Sequence, residues 1–386
     1  MSKLNDVVIN KLSGGLGRRT PEQDMVSGLL FSGVTTEDLE ADKVVLLASL
    51  EDAEAYGIKE SGDVGGQSVY YQIQQFFRMN PSGDLYIMKT AATSYKVIAG
   101  KAKDMQEKAN GNIRQLAIIY SGATTFADTL DAVAVAQTQA NDAYVDYMPF
   151  EVILEGKGFD VHSATSLAGL NAENVSVVVT MDVEKADDFP NSAAVGLALG
   201  AISKAKVSEN IAWIEKFNLT GEGFAKAGFV GGEEVKTLGL LGDLNEKRYI
   251  FARTHTGLPG VYFNDSATCT SGTSDFAYVE NNRTINKATR LLRSALLPKL
   301  ASPVLVDIDG KLPQSVSKSF EGLCRSALEG MIANQEVSAF DVYVDPKQNI
   351  LATSELKVKA EITPVGTARK IMVDLGFKNP FGIDKA

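Results

Sequence analysis

Two alternating segments near the C-terminal end place the strongest constraint on the fold. Apolar and charged side chains alternate on both sides of the breaker Pro364-Val365-Gly366, with the period of two that is typical of half-buried strands. The apolar positions are Leu356, Val358, Ala360 and Ile362 before the breaker, and Ile371, Val373, Leu375 and Phe377 after it. A long strand with so little sequence behind it needs an edge to pair with, because unpaired strand edges promote aggregation.

The N-terminal end carries a shorter segment of the same kind. The apolar residues Val7, Val8 and Ile9 are followed by SGGLGRRTP at 13–21, where glycines and a proline exclude a regular element. We therefore predict an N-terminal arm over 1–20 and a C-terminal arm over 370–386, each able to form a strand outside a compact domain.

Residues 21–248 alternate strand-like and helical patterns. The segment SVYYQIQQFFR at 68–78 places its apolar residues on one helical face, and the run LAIIY at 116–120 is typical of a buried parallel strand. The segment GLALGAIS at 196–203 indicates close helix packing through small residues, because no Lys-Ser/Thr follows as a phosphate loop requires. This range is predicted to be an outer α/β domain with a largely parallel sheet.

The pattern changes from about residue 249. A strand, a turn and a second strand occupy 249–263, and two long amphipathic helices follow. The second helix carries Cys324 on its apolar stripe, and the strand FDVYVDP at 340–346 comes next. We predict a C-terminal α+β inner domain over 249–369.

Composition excludes several functional classes. The chain has 386 residues, 45% of them hydrophobic and 22% charged, which is ordinary for a folded soluble protein of two or three domains. A net charge of −10 argues against general binding to nucleic acid or anionic lipid. No signal peptide is evident, and the longest apolar stretch, 193–202, is about half of what a membrane span requires.

None of the common catalytic or metal-binding patterns is present. The only two histidines, His162 and His255, have no Cys or His at ligand spacing. Cys269 lies in a Ser/Thr loop with no nearby histidine, and DIDG at 307–310 lacks the remaining ligands of a calcium loop. The sequence predicts a protein that is not an enzyme and has no cofactor or metal. An alternative left open is a soluble α/β enzyme with an unrecognised site.

One helix is unusually basic in a protein that is acidic overall. Residues 281–306 contain no acid, and Arg283, Lys287 and Arg290 share one helical face. Two interpretations stand: a solvated helix face, or a docking stripe for an acidic partner surface.

The two predicted arms suggest how copies of the chain could assemble. Strand addition between subunits would supply the missing edges, since main-chain hydrogen bonds give affinity and alternating side chains give register. Donor and acceptor surfaces differ, so the contact is heterologous and its repetition yields a ring or an open helix.

The C-terminal third resembles contractile tail sheath proteins of bacteriophages, R-type pyocins and related injection systems. The similarity covers about 250–380 and includes an aromatic strand, the helix entry YVENNRTINKATR, a second amphipathic helix, a Val-x-Val-Asp-Pro strand and the segment LKVKAEITPVGTARKIMVDLGF. The segment GRRTPEQDMVSGLLFSG near the N-terminus is similar more weakly.

This resemblance implies a tail-sheath-like fold and a structural role. Another self-assembling tail or shell component is the second alternative left open. Subunits would stack as six-membered rings around an inner tube, with both arms joining sheets of neighbouring subunits. The other expected partners are a baseplate, on which the rings are anchored, and terminator components. Contraction would drive the tube through a target envelope without nucleotide. Assembly in the bacterial cytoplasm and a mature location in a virion tail or injection particle are implied as well.

The resemblance also assigns provisional roles to glycines and to the basic helix. Gly14, Gly15, Gly17 and Gly366 are expected hinges beside the arms. The expected contacts with the inner tube are Arg283, Lys287, Arg290 and Arg293.

Overall fold

The computed structural model describes residues 23–34, 36, 38–234 and 236–378. The strands are β1 Ser27–Phe31, β2 Val44–Leu47, β3 Leu85–Lys89, β4 Gln115–Ile119, β5 Glu151–Glu155, β6 Val175–Val178, β7 Thr180–Asp182, β8 Ala227–Phe229, β9 Ala252–His255, β10 Leu258–Phe263, β11 Val337–Tyr343 and β12 Lys359–Pro364. The helices are α1 Leu50–Ala55, α2 Val69–Met79, α3 Tyr95–Ala99, α4 Ala102–Lys108, α5 Phe126–Val145, α6 Val195–Lys204, α7 Leu238–Glu246, α8 Val279–Leu296, α9 Gln314–Ala333 and α10 Ile350–Thr353.

A six-stranded, mostly parallel sheet forms the centre of the larger body, in the order β2-β3-β1-β4-β5-β6. Strand β1 lies parallel between β3 and β4, whereas the edge strand β2 is antiparallel to β3. Every residue of β1, β4, β5 and β6 is buried, which accounts for their continuous apolar runs. The predicted α/β architecture with a largely parallel sheet is confirmed.

Helix α6 packs against the backbone of α2. A Cβ atom added at Gly196 would lie 2.0 Å from the carbonyl oxygen of Gln72, and one at Gly200 would lie 2.7 Å from that of Phe76. Nearly all of α6 is buried, including both glycines. The prediction of close helix packing at 196–203 is confirmed, since only glycine permits this approach.

Two hydrophobic cores divide the chain. The first surrounds the large sheet and includes residues of the β9–β10 hairpin, such as Val261 and Phe263, and also Val279 at the start of α8. The second core consists of buried residues from α8, α9 and β11, namely Ala288, Cys324, Leu328, Met331, Val337 and Val342. The change of core therefore falls within α8, and the domain boundary predicted at 249 lies upstream of it and stays a prediction.

The second core is smaller and is closed by a two-stranded sheet. Strands β11 and β12 are antiparallel, with Val342 opposite Ala360 and Phe340 opposite Ile362. Helix α9 packs on β11 and contacts α8. Cys324 is fully buried on the apolar stripe of α9, as predicted.

Candidate assembly site

The segment after β12 projects apolar side chains into solvent. Residues 365–378 belong to no strand or helix within the described part of the chain. Ile371 is 81% exposed, Leu375 is 95% exposed and Phe377 is 108% exposed. Large apolar side chains rarely stand free in a row, and such surfaces mark sites of association. The strand predicted at 371–377 is not formed within a single chain.

Strand β12 takes its partner from its own chain. Val358, Ala360 and Ile362 contact the second core, and the last two lie on β12, which is hydrogen-bonded to β11. One edge of β12 is therefore occupied within the chain, and pairing of its other edge between subunits stays a prediction. Leu356 precedes the strand and is half-buried. The two-stranded sheet leaves the outer edges of β11 and β12 without a neighbouring strand among the described residues.

The predicted N-terminal arm lies outside the part of the chain that the structure describes. Its predicted pairing residues Val7, Val8 and Ile9, and its predicted hinges Gly14, Gly15 and Gly17, lie outside the described residues. At the other end, Gly366 has no heavy atom within 4 Å of a built Cβ. Space around Gly366 therefore does not require glycine there, and its hinge role stays a prediction.

The basic face of α8 converges on a single acid near the N-terminal end. The Lys287 Nζ atom lies 2.6 Å from Asp24 Oδ2, and the Arg290 Nη2 atom lies 2.6 Å from Asp24 Oδ1. Arg283 donates to the Asp24 backbone carbonyl over 3.0 Å. Lys287 also contacts Glu336 at 2.6 Å. We call Asp24, Arg283, Lys287, Arg290 and Glu336 the Asp24 cluster.

Burial and charge compete within the Asp24 cluster. Burial raises the pKa of Asp24, but Lys287, Arg290 and Arg283 together hold it below its ordinary value. Burial lowers the pKa of Arg283 to about 10, against the opposing charge of Asp24. Asp24 is therefore an anion at neutral pH, and the Asp24 cluster ties the residues before β1 to α8.

The expectation of a solvated basic face on α8 is wrong for Arg283, Lys287 and Arg290, because all three contact Asp24. Arg283 is only 4% exposed, and its Nη1 atom donates to the carbonyl oxygens of Ala205 and Lys206 at 3.2 and 3.3 Å. Arg293 stacks on Tyr147, with its guanidinium carbon 3.6 Å from the ring centroid. The structure contains a single chain and no inner tube, so contact of this helix with a tube stays a prediction.

A second charge cluster holds the beginning of the C-terminal arm, and here one cation lies between two acids. The Arg369 Nε atom donates to Asp265 Oδ2 over 3.0 Å, and its Nη2 atom donates to Glu280 Oε1. The guanidinium carbon lies 3.4 Å from the centroid of the Tyr278 ring. We call Arg369, Asp265, Glu280 and Tyr278 the Arg369 cluster. The sequence analysis assigns no role to any of its members, although Tyr278, Glu280 and Arg369 lie in the segments that resemble sheath proteins.

The two acids of the Arg369 cluster are buried side by side. Asp265 is 7% exposed and Glu280 is 3% exposed, and the Asn210 amide donates to both, over 2.6 and 2.9 Å. Burial raises the pKa of Glu280, while the charge of Arg369 acts to lower it. A buried pair of like charges needs a cation beside it, and Arg369 supplies that charge.

The Arg369 cluster forms one wall of a cleft of about 1010 Å³, which Trp213, Arg253, His255 and residues 365–369 also line. Among the described residues, no group of three or more His, Cys, Asp or Glu side chains could hold a metal ion. In the same part of the chain, no helix has the length and apolar character needed to cross a membrane.

Solved structures with a similar fold come from contractile sheaths. The contracted helical sheath of the anti-feeding prophage gives a TM-score of 0.68 at 14% identity, over 98% of this chain and 100% of that chain. The contracted sheath of PVC, an extracellular contractile injection system, gives 0.62 at 12% identity, over 98% of each. The sheath tail protein of Listeria innocua gives 0.52 at 8% identity, over 88% of this chain and 95% of that chain.

These similarities define the class of fold as that of a contractile tail sheath subunit, as the sequence resemblance predicts. Two family models cover most of the chain: the N-terminal domain of DUF2586 matches residues 4–267, and its C-terminal domain matches residues 275–382. The chain belongs to the DUF2586 family. No curated protein sequence matches it.

Proposed function

We propose that this protein is the structural subunit of a contractile sheath. It polymerises as helically stacked hexameric rings around an inner tube and contracts to drive the tube through a target envelope. The observation that carries the proposal is the exposed, alternating apolar segment 370–378, which extends from a body with the sheath fold. The role is structural, and no step of it requires catalysis.

The exposed arm has the composition of a strand meant for another copy of the chain. Ile371, Val373, Leu375 and Phe377 lie on one face of an extended chain. Burying these four side chains contributes on the order of 6–12 kcal/mol in total. Fixing the backbone costs roughly 1–2 kcal/mol per residue, so the net gain is small and depends on main-chain pairing. Links of this strength suit a lattice that stays connected while its subunits move.

The acceptor is the open edge of the β11–β12 sheet of a neighbouring subunit. Both strands have one edge without a neighbour among the described residues, and the sheet is held in place by α9. Strand addition there would extend an existing two-stranded sheet, which is marginal by itself. The N-terminal arm, with Val7, Val8 and Ile9, is proposed to use the other edge.

Further partners are an inner tube and a baseplate, with assembly in the bacterial cytoplasm and a final place in a virion tail or injection particle. The resemblance of 250–380 to sheath proteins supports this part of the proposal. Because Arg283, Lys287 and Arg290 are paired within the chain, tube contact through this helix would involve Arg293 and exposed neighbours, or a rearranged Asp24 cluster.

The test is deletion of residues 370–386, followed by electron microscopy of the concentrated protein with and without inner tube and baseplate. We expect the truncated chain to keep its circular dichroism spectrum and its melting temperature but to form no tubes, since the described part of the arm, 370–378, contributes to neither core. Unfolding of the truncated chain would assign the arm to its own domain. Tubes of normal length would show that the arm is not the link.

Two matched double variants test whether assembly requires the apolar face of the arm and not only its length. Val373→Ser with Leu375→Ser removes two side chains from the apolar face, while Met372→Ser with Asp374→Ser changes the other face. We expect only the first pair to abolish tubes.

The alternative function is that of an α/β enzyme that uses the 1010 Å³ cleft. Stabilisation of the protein by a small ligand, together with a small closed oligomer in every condition, would favour this alternative.

A further inference from the structure

We propose that Arg369 is a positioning residue that fixes where the C-terminal arm leaves the subunit. The inference rests on the proposed function, because it concerns the arm that joins neighbouring subunits. Arg369 lies directly before the exposed segment, and its guanidinium is the last group of the described chain with ion-pair partners in the body of the protein.

The contacts of Arg369 are directional. Two nitrogen atoms of its guanidinium reach two different carboxylates, Asp265 and Glu280, and its flat face lies on the ring of Tyr278. A guanidinium held by charge-assisted hydrogen bonds and by stacking has one orientation, which a lysine ammonium would not reproduce. The position and direction of the backbone at Arg369 are therefore fixed relative to the first core.

The partners of Arg369 are themselves rigid. Glu280 is in the first turn of α8, and its Oε2 atom accepts a hydrogen bond from Ser266. Asp265 accepts hydrogen bonds from its neighbour Ser266 N over 2.9 Å and from Asn210 over 2.6 Å. Both carboxylates are oriented by groups other than Arg369, so the receptor for its guanidinium is formed before the arm arrives.

The chain between β12 and Arg369 has few other contacts to hold it. Residues 365–368 are exposed, and the only hydrogen bond that reaches them from the described residues is donated by the Arg369 amide to the Thr367 carbonyl over 3.0 Å. Without the Arg369 cluster, the arm would pivot from the end of β12 at Pro364. With it, the pivot moves five residues further along, to the wall of the cleft.

The first experiment probes the cluster in the unassembled full chain. The variant Asp265→Asn with Glu280→Gln removes both charges and leaves Arg369 in place; Asp341→Asn, at the surface ion pair with Arg325, is the matched control. We expect an arginine-specific protease to cleave after Arg369 at least about tenfold faster in the double variant, because strong charge-assisted hydrogen bonds no longer hold the side chain. The control and the wild type should be cleaved equally slowly, with unchanged circular dichroism spectra in all three.

The second experiment measures tube yield for Arg369→Gln and Arg369→Lys. We expect Arg369→Gln to lower the melting temperature, because Asp265 and Glu280 lose their cation, and to lower the tube yield severalfold at a temperature where the variant stays folded. Arg369→Lys should restore part of the yield by keeping the charge. Cleavage of the double variant at the wild-type rate, or full tube yield from Arg369→Gln, would overturn the positioning role. If the wild type forms no tubes even with inner tube and baseplate, the proposed function fails, while the protease experiment still decides whether Arg369 is held.

Discussion

The contact between α6 and α2 gives a sharp test of the packing. Gly196→Ala would place a methyl group 2.0 Å from the Gln72 carbonyl oxygen, about 1.2–1.5 Å closer than the van der Waals contact. The helices cannot separate freely, because the Gln72 side chain accepts a hydrogen bond from Gly196 N over 2.7 Å and donates one to the Ala193 carbonyl over 2.8 Å.

Overpacking against side chains typically costs about 1–3 kcal/mol, and an obstructing backbone atom gives less room for relaxation. Alanine gains at most about 1 kcal/mol over glycine in a helix, and less in the first turn where Gly196 lies. We therefore expect a net loss of about 2–3 kcal/mol, which lowers the melting temperature by roughly 5–10 °C for a domain of this size.

Gly242→Ala in α7 is the matched control. A Cβ atom there meets nothing within 4 Å, so the substitution should stabilise the protein by about 0.5–1 kcal/mol. Urea denaturation of both variants at low protein concentration, followed by circular dichroism, measures the two changes. If Gly196→Ala is as stable as the wild type, or gains stability as Gly242→Ala does, the close approach of α6 and α2 is wrong.

Two further predictions concern the two cores. Burial raises the pKa of Glu151 to about 7, although Asn174, Asn282 and Asn286 donate hydrogen bonds to it. In the unfolded chain the pKa is 4.5, so the native state binds the proton more tightly. The native state therefore loses stability as pH rises from 4.5 to 7. Relative to Glu151→Gln, the wild type should lose on the order of 2–3 kcal/mol over that range, and parallel pH profiles of urea stability would contradict the burial argument. Leu328→Ala should cost the second core about 2–5 kcal/mol and accelerate hydrogen exchange in α9 but not in β4, whereas a loss below about 1 kcal/mol would mean that the core is loosely packed.

Local patterns predicted the central elements correctly. The apolar run of β4 and the small residues of α6 each lie within ten consecutive residues, so a short stretch of sequence is enough to predict the element. The stripe that includes Cys324 predicted its burial for the same reason. The alternating segment 371–377 enters neither core, and its pairing with another subunit stays a prediction. The alternation at 356–362 did not show that β12 pairs with β11.

The charge clusters could not be predicted from local pattern. Arg290 and its partner Asp24 are 266 positions apart, and the basic residues of α8 look solvent-exposed until the fold brings Asp24 beside them. Arg369 and Asp265 are 104 positions apart and lie in segments without periodicity. Pairing of single charges over such distances depends on the tertiary fold, and no spacing rule in one sequence encodes it.

Helix α8 contacts a residue near each end of the described chain. Glu280 near its start holds Arg369, while Lys287 and Arg290 further along hold Asp24. The helix has 18 residues, a length of about 27 Å, and it runs from the first core into the second. In the proposed lattice, a pull on Arg369 would therefore reach Asp24 through one stiff helix of the same subunit.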